Sequence, residues 1–212
     1  MRTRIKICGI TRPRDGLAAA QQGADAIGLV FHPLSSRRVD VARAAEIVDA
    51  LPPFCAVVAL FVDPAPEIVH DVLAAVPIDL LQFHGEESAE FCRDFGVPYM
   101  KAVHMRPGVD LMAQAARYSD AAALLLDTWH EKLAGGTGES FAWQRLPAGL
   151  TVPVMLAGGL HAGNVAEAIR IVRPYGVDVS SGVEAAPGIK DTVSIGAFMR
   201  AVMTRDGEAN DG

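Results

Sequence analysis

Residues Lys6–Phe31, KICGITRPRDGLAAAQQGADAIGLVF, hold one complete unit of a repeating fold. Lys6–Ile10 is a short apolar run of strand length. Pro13 follows, a residue suited to a first helical turn, and Arg14–Gln22 reads as a helix. Ala26–Phe31 is a second apolar run. Neither run alternates cleanly between polar and apolar residues, as expected of parallel strands covered on both faces. Outward from this unit the pattern repeats. Further runs fall at Ala56–Val62, Asp79–His84, Tyr99–His104, Ala122–Asp127, Val152–Ala157 and Gly176–Ser180. Helical stretches separate them at Val41–Leu51, Glu67–Ala75, Ser88–Phe95, Asp110–Tyr118, Phe141–Leu146 and Gly163–Val172, with Thr192–Met203 last. Asp40 and Ser88 stand where N-caps belong, and Pro52-Pro53 and Gly96 where helices stop. An open doubly wound sheet shares this local pattern. Eight strand–helix repeats in 212 residues, with no insertion large enough for a second domain, favour a closed single-domain (β/α)8 barrel, a TIM-barrel fold of α/β class. It is expected over residues 1–204, with Arg205–Gly212 a polar tail.

Composition limits the function classes. A net charge of -6, from 25 acidic and 19 basic residues, argues against a dedicated nucleic-acid binder. The longest apolar run, Phe54–Val62, is about half of a membrane span, so no membrane partner is expected. Lys6 interrupts the first apolar stretch, unlike a signal peptide. Three widely spaced cysteines without a C-x-x-C pair suit a reducing, cytoplasmic setting, not a disulfide framework or a structural zinc site.

Barrels of this kind carry their chemistry at the C-terminal ends of the strands. Those ends are Cys8, His32, Asp63, His84, His104, Asp127, Gly158 and Ser180-Ser181. Cys8 shares a face with Lys6, opposite Ile5 and Ile7; it is either a small buried residue or a group at the barrel mouth. Asp127 ends the run Leu124-Leu125-Leu126, where desolvation would raise its pKa toward use as an acid. It could equally cap the next element. Gly158-Gly159 and Ser180-Ser181-Gly182 follow strands seven and eight, where such barrels often bind phosphate through backbone N–H groups. Ser35-Ser36-Arg37-Arg38 is a solvated charge run or a clamp for a carboxylate or phosphate. Gly135-Gly136-Thr137-Gly138 suggests a flexible lid. His32, Asp63 and His84 are weak candidates for metal ligands, and Lys6 and Lys101 read as polar members of the inner barrel layers, paired with Gln82 or a carboxylate.

Lys6-Ile7-Cys8-Gly9-Ile10-Thr11 resembles the opening of the phosphoribosylanthranilate isomerase family of tryptophan biosynthesis. The resemblance continues through Gly28-Leu29-Val30-Phe31, Ser35–Val39, Leu81–Gly85, Leu125-Leu126-Asp127 and Gly135–Gly138. It closes with Leu156–Leu160, Asn164-Val165, Gly176–Glu184, Pro187-Gly188 and Lys190-Asp191. It implies an aldose–ketose isomerase that performs an Amadori rearrangement of N-(5-phosphoribosyl)anthranilate by general acid–base catalysis. No cofactor and no metal are implied, and the partner is a small phosphosugar substrate, bound by a monomer or homodimer. By position Cys8 matches the general base, Asp127 the general acid and Arg37 the arginine receiving the anthranilate carboxylate. Ser36 replaces the family's usual proline and Arg38 a common aromatic, which leaves Arg37 and Arg38 as alternatives for that carboxylate. His84, Gly158, Gly159, Leu160, Asp178, Ser180, Ser181 and Gly182 are the remaining expected substrate-binding residues. Cys55 and Cys92 fall away from the mouth. The competing readings are a metal-dependent sugar-phosphate epimerase using His32, Asp63 and His84, a Schiff-base aldolase using Lys101, and a silent phosphosugar-binding protein.

Overall fold

The computed structural model describes residues 2–128 and 146–210. Eight parallel strands form a closed barrel in sequence order. They are β1 (Arg4–Cys8), β2 (Ala26–Val30), β3 (Ala56–Phe61), β4 (Leu80–Phe83), β5 (Tyr99–Met105), β6 (Ala123–Thr128), β7 (Val154–Ala157) and β8 (Gly176–Val179). Pairing of β8 back onto β1, with Ile5 opposite Val177 and Lys6 opposite Asp178, closes the ring. The open-sheet alternative is thereby excluded. Helices α1 (Pro13–Gln21), α2 (Val41–Asp49), α3 (Pro66–Ala75), α4 (Ala89–Arg93), α5 (Leu111–Arg117), α6 (Val165–Val172) and α7 (Thr192–Asn210) connect and cover the strands. A small hairpin, β9 (Glu184–Ala186) and β10 (Ile189–Lys190), follows β8 and has no clear sequence signal. The glycine-rich lid and all but Leu146 of the helix expected over Phe141–Leu146 lie outside the described residues. The helical pattern at the C-terminus runs through Asn210, beyond the expected stop near Met203.

Local chemistry places the helix starts. Asp40 accepts a hydrogen bond from Arg43 N, Ser88 from Phe91 N, and Asp110 from Met112 N and Ala113 N. These bonds satisfy backbone donors that the first helical turn leaves free. Pro13 and Pro66 occupy first-turn positions.

The strands bury both faces. Ile5, Ile7, Ile27, Leu29, Ala59, Phe61, Leu81 and Phe83 pack against the helices as one continuous core. Within it Phe31 stacks on Phe61, and Phe83 meets Phe91 and Phe95. Facing the other way, Met100, Ala102, Leu125, Met155 and Ala157 fill the barrel interior. Lys6 and Asp178 also point inward, their side chains only 3% and 8% exposed, with Lys6 Nζ 3.0 Å from the carboxylate. Lys101 does not join this layer, contrary to expectation. It shares the face of Tyr99 and Val103, toward the helices, where it pairs with Glu87 at 3.2 Å and donates to the carbonyl of Gly85.

The Lys6–Asp178 pair ties β1 to β8 from inside. Lys6→Met leaves a buried carboxylate with its cation gone, a change that costs about 3–5 kcal/mol. Urea unfolding should show that loss as a lower midpoint at unchanged slope. The double variant Lys6→Met/Asp178→Leu should recover most of it.

Candidate active site

At the C-terminal ends of the strands a cavity of about 330 Å³ opens to solvent. Cys8, Arg37, His84, Asp127, Asp178 and Ser180 line it. Gly158, Gly159, Leu160 and Ser181 complete one wall, and His32 lies on the opposite rim among residues of β2 and its loop. All the expected site residues except Gly182 therefore reach one space, and Gly182 adjoins it. A Cβ on Gly182 would lie 1.9 Å from the carbonyl oxygen of Leu160, so only glycine lets the β8 turn press against the β7 turn. Gly158 and Gly159 both have positive φ, 83° and 63°, which aims the backbone of the β7 turn. Ser181–Val183 is a single 3-10 turn beginning at the cavity wall.

Cys8 ends β1 and is 6% exposed. Gly28 on β2 makes its place: a Cβ there would sit 2.8 Å from Cys8 Sγ and 3.1 Å from Lys6 Nζ. Burial pushes the Cys8 thiol above its ordinary pKa; Lys6 opposes this and Asp178 reinforces it. Lys6 is thus a cation that favours the thiolate, but its own partner Asp178 offsets it.

Asp127, one residue before the end of β6, lies between two histidines. His84 Nε2 lies 3.2 Å from its Oδ2, and His104 Nδ1 3.6 Å from the same oxygen. Burial acts to raise its pKa, but the contacts from His104 and His84 prevail and hold the carboxyl well below the usual range. The expectation of a raised pKa is therefore corrected: the apolar run before Asp127 was legible, whereas the two imidazoles come from other strands. His104 is raised, chiefly by Asp127, against an opposing effect of burial. Gln82, fully buried on β4, places its amide nitrogen 2.9 Å from His84 Nδ1. Neither Gln82 nor His104 stood among the expected binding residues; alternation along β4 and β5 puts both on the inward face and could have found them.

Arg37 turns toward the cavity and is held by Glu184, with Nε and Nη2 at 2.8 and 2.7 Å from the two carboxylate oxygens. Arg38 is exposed and does not line the cavity. Of the two, Arg37 is the one that faces the cavity. Glu184 also meets Lys190 Nζ at 2.8 Å, and Lys190 donates to the carbonyl oxygen of Ser180. The grouping of His32, Asp63 and His84 does not form. Asp63 turns to the loop after β4, where it accepts from Glu86 N at 2.7 Å. Among the described residues, the group able to bring metal-ligating atoms within 4.8 Å of one another is His84, His104 and Asp127. No described helix is long and apolar enough to cross a membrane.

Comparison with known proteins agrees with this geometry. The sequence profile described as "N-(5'phosphoribosyl)anthranilate (PRA) isomerase" matches residues 5–201. An N-(5'-phosphoribosyl)anthranilate isomerase of Pseudomonas paraeruginosa is 56% identical over 202 residues, 95% of this chain and 96% of the relative. One from Nitrosococcus oceani is 53% identical over 95% of this chain and 98% of its own. The crystal structure of the Thermotoga maritima phosphoribosyl anthranilate isomerase superposes with a TM-score of 0.84 at 40% identity, covering 95% of this chain and 99% of that one. A second solved isomerase, in complex with reduced 1-(o-carboxyphenylamino)-1-deoxyribulose 5-phosphate, gives a TM-score of 0.81 at 38% identity, with 95% and 99% covered.

The raised thiol pKa sets how Cys8 should react. Below its pKa the thiolate fraction grows about tenfold per pH unit, and the thiolate is the reactive form. Iodoacetamide labelling of Cys8, followed by peptide mass mapping, should accelerate in that proportion between pH 7 and 9. A flat rate would mean the thiolate is already formed at pH 7.

Proposed function

The chain belongs to the N-(5'-phosphoribosyl)anthranilate isomerase family, and from that premise we propose that it performs the family's Amadori rearrangement with Cys8 as base and Asp127 as acid. The observation that carries this reading is the meeting of Cys8 and Asp127 on one cavity from well-separated strands. On the shorter way around the barrel, β7 and β8 stand between them.

The substrate is an aminoaldose whose ribose ring is closed. An acid protonates the ring oxygen while the bond from that oxygen to carbon 1 breaks, leaving an iminium. A base then removes the proton from carbon 2, and the electron pair left behind neutralises the iminium as an enolamine. Tautomerisation of the enolamine gives the ketose. The iminium is an electron sink made by the substrate itself, so proton transfers at two positions suffice.

Asp127 suits the acid position because Oδ2 is engaged by the histidines, while Oδ1, without a hydrogen bond among the described residues, is left for the ring oxygen. Its carboxylate must take up a proton before ring opening. Substrate that expels water from the cavity acts in the needed direction, since desolvation raises a carboxyl pKa. Cys8 must act as thiolate, with Lys6 the nearest stabilising cation. The phosphate is assigned to backbone N–H groups of Gly159, Leu160, Ser181 and Gly182, where neighbouring turns meet. The anthranilate carboxylate is assigned to Arg37, whose Nη1 side Glu184 does not use.

Two measurements test these assignments. Single-turnover kinetics on Cys8→Ser and Cys55→Ser, side by side, should show near-complete loss in the first and none in the second. Asp127→Asn should match Cys8→Ser, since an amide keeps the shape but has no carboxylic proton. A Cys8→Ser enzyme retaining more than about a tenth of the rate, a barrier change under ~1.4 kcal/mol, would remove Cys8 as the base. Separately, Arg37→Ala should weaken substrate binding by about 1.5–3 kcal/mol, the range for a hydrogen bond to a charged group. Arg38→Ala should stay within about 0.5 kcal/mol, as for an exposed side chain. Michaelis constants and equilibrium titration with a product analogue check both.

A further inference from the structure

His104 takes no part in the catalytic steps above, yet its ring is fixed. Its Nε2 lies 3.1 Å from the carbonyl oxygen of His84. A carbonyl only accepts, so Nε2 carries a hydrogen, and in the neutral ring Nδ1 then presents a lone pair. That nitrogen faces Asp127 Oδ2 at 3.6 Å, and a cation placed between the two would take a lone pair from each. His84 Nε2 approaches the same oxygen at 3.2 Å. A tetrahedral zinc ion with bonds of about 2.0–2.2 Å separates its ligand atoms by roughly 3.4 Å. The two observed separations bracket that value.

Gln82 supplies a second, independent observation. It is fully buried, and its amide oxygen has no hydrogen-bond partner among the described residues. Turned end for end, the amide would offer that oxygen to His84 Nδ1–H. His84 Nε2 would then present its lone pair to the space beside Asp127. Each imidazole would hold an acceptor on its far nitrogen, the Gln82 amide for His84 and the His84 carbonyl for His104. Metal-ligating histidines are oriented in this way.

We propose that His84, His104 and Asp127 form a binding site for a zinc-class divalent ion, which acts as a reversible inhibitor of the isomerase. Two imidazoles and one carboxylate suit zinc, whereas magnesium and calcium favour shells of oxygen ligands. The three side chains keep 22%, 27% and 29% exposure, so an ion can enter from the mouth and hold water or hydroxide in the remaining position. Ion binding stands on the geometry alone. Inhibition rests also on the reading of Asp127 as the acid, because a carboxylate ligated to a cation is not free to carry a proton to the ring oxygen.

Calorimetric titration of zinc chloride into EDTA-stripped protein, with turnover measured in parallel, tests both parts. One zinc per chain is expected. His104→Ala should weaken binding at least tenfold, and Cys8→Ser should leave it unchanged. Zinc should inhibit the wild type, EDTA should reverse this, and magnesium at the same concentration should have no effect. Measured against its own zinc-free rate, His104→Ala should resist inhibition by zinc. Equal affinity in His104→Ala, or affinity lost in Cys8→Ser, overturns the site and assigns the ion to the thiol. Binding that depends on His104 but leaves turnover untouched overturns the inhibitory role and counts against Asp127 as the acid. Failure to bind at all overturns the proposal and leaves the acid–base reading intact.

Discussion

The seam between β8 and β1 is the constraint on which the rest of the molecule depends. Seven strand pairings build a curved sheet, and only the eighth turns it into a barrel with a mouth. Backbone pairing at the seam runs from Arg4 opposite Gly176 to Ile7 opposite Val179. Inside it, Lys6 meets Asp178 at 3.0 Å with both side chains almost wholly out of water. A buried pair of this kind contributes little net stability relative to an apolar pair, but losing one partner is costly. Its consequence here is positional. It fixes the level of Cys8, two residues on from Lys6, against that of Ser180, two residues on from Asp178. The proposed base and the proposed phosphate turn are held in register by one interaction beneath them.

Above the seam the charges continue in order. Lys190 reaches back from β10 to the carbonyl of Ser180, and Glu184 ties Lys190 to Arg37 from the far side of the mouth. On this side three cations, Lys6, Lys190 and Arg37, meet two carboxylates, Asp178 and Glu184. The local excess is positive although the whole chain carries -6. Such a balance favours a substrate with phosphate and carboxylate at its ends, and it opposes the desolvation that keeps the Cys8 thiol protonated. Asp127 lies outside this cluster, beside His84 and His104. The proposed base and acid thus occupy separate electrostatic environments within one cavity, as suits chemistry that needs one group deprotonated and the other protonated.

The repeat of strand and helix was legible because each unit announces itself locally: Pro13, Asp40, Ser88 and Asp110 start helices, and unalternating apolar runs mark strands with two covered faces. Strand ends followed from the same pattern, so the mouth residues could be named before any coordinates. What escaped the sequence depends on side chains that meet across strands. Lys101 reads like Lys6, a lone cation in an apolar run, yet the parity of β5 turns it outward to Glu87. The β9–β10 hairpin, Glu184–Lys190, is a short segment of weak pattern whose role, carrying Glu184 and Lys190 to the mouth, exists only in three dimensions. Arg37 and Arg38 were chemically equal in sequence. The partner that separates them, Glu184, lies 147 positions away.

Asp127 shows most clearly how local context misleads. Three leucines before a carboxylate argue for desolvation, and the residue is indeed largely buried. Desolvation is only one of the influences on a pKa, and near-contact with imidazoles opposes it. Strands β4, β5 and β6 are adjacent, so their C-terminal residues His84, His104 and Asp127 must converge once the barrel closes. Convergence of two imidazoles on one carboxylate oxygen leaves that carboxylate ionised until something takes the histidines' place or brings a proton. The proposed acid is therefore not prepared by its burial. It is held as an anion in the open cavity, and under the proposed mechanism substrate binding must change its surroundings before the ring can open.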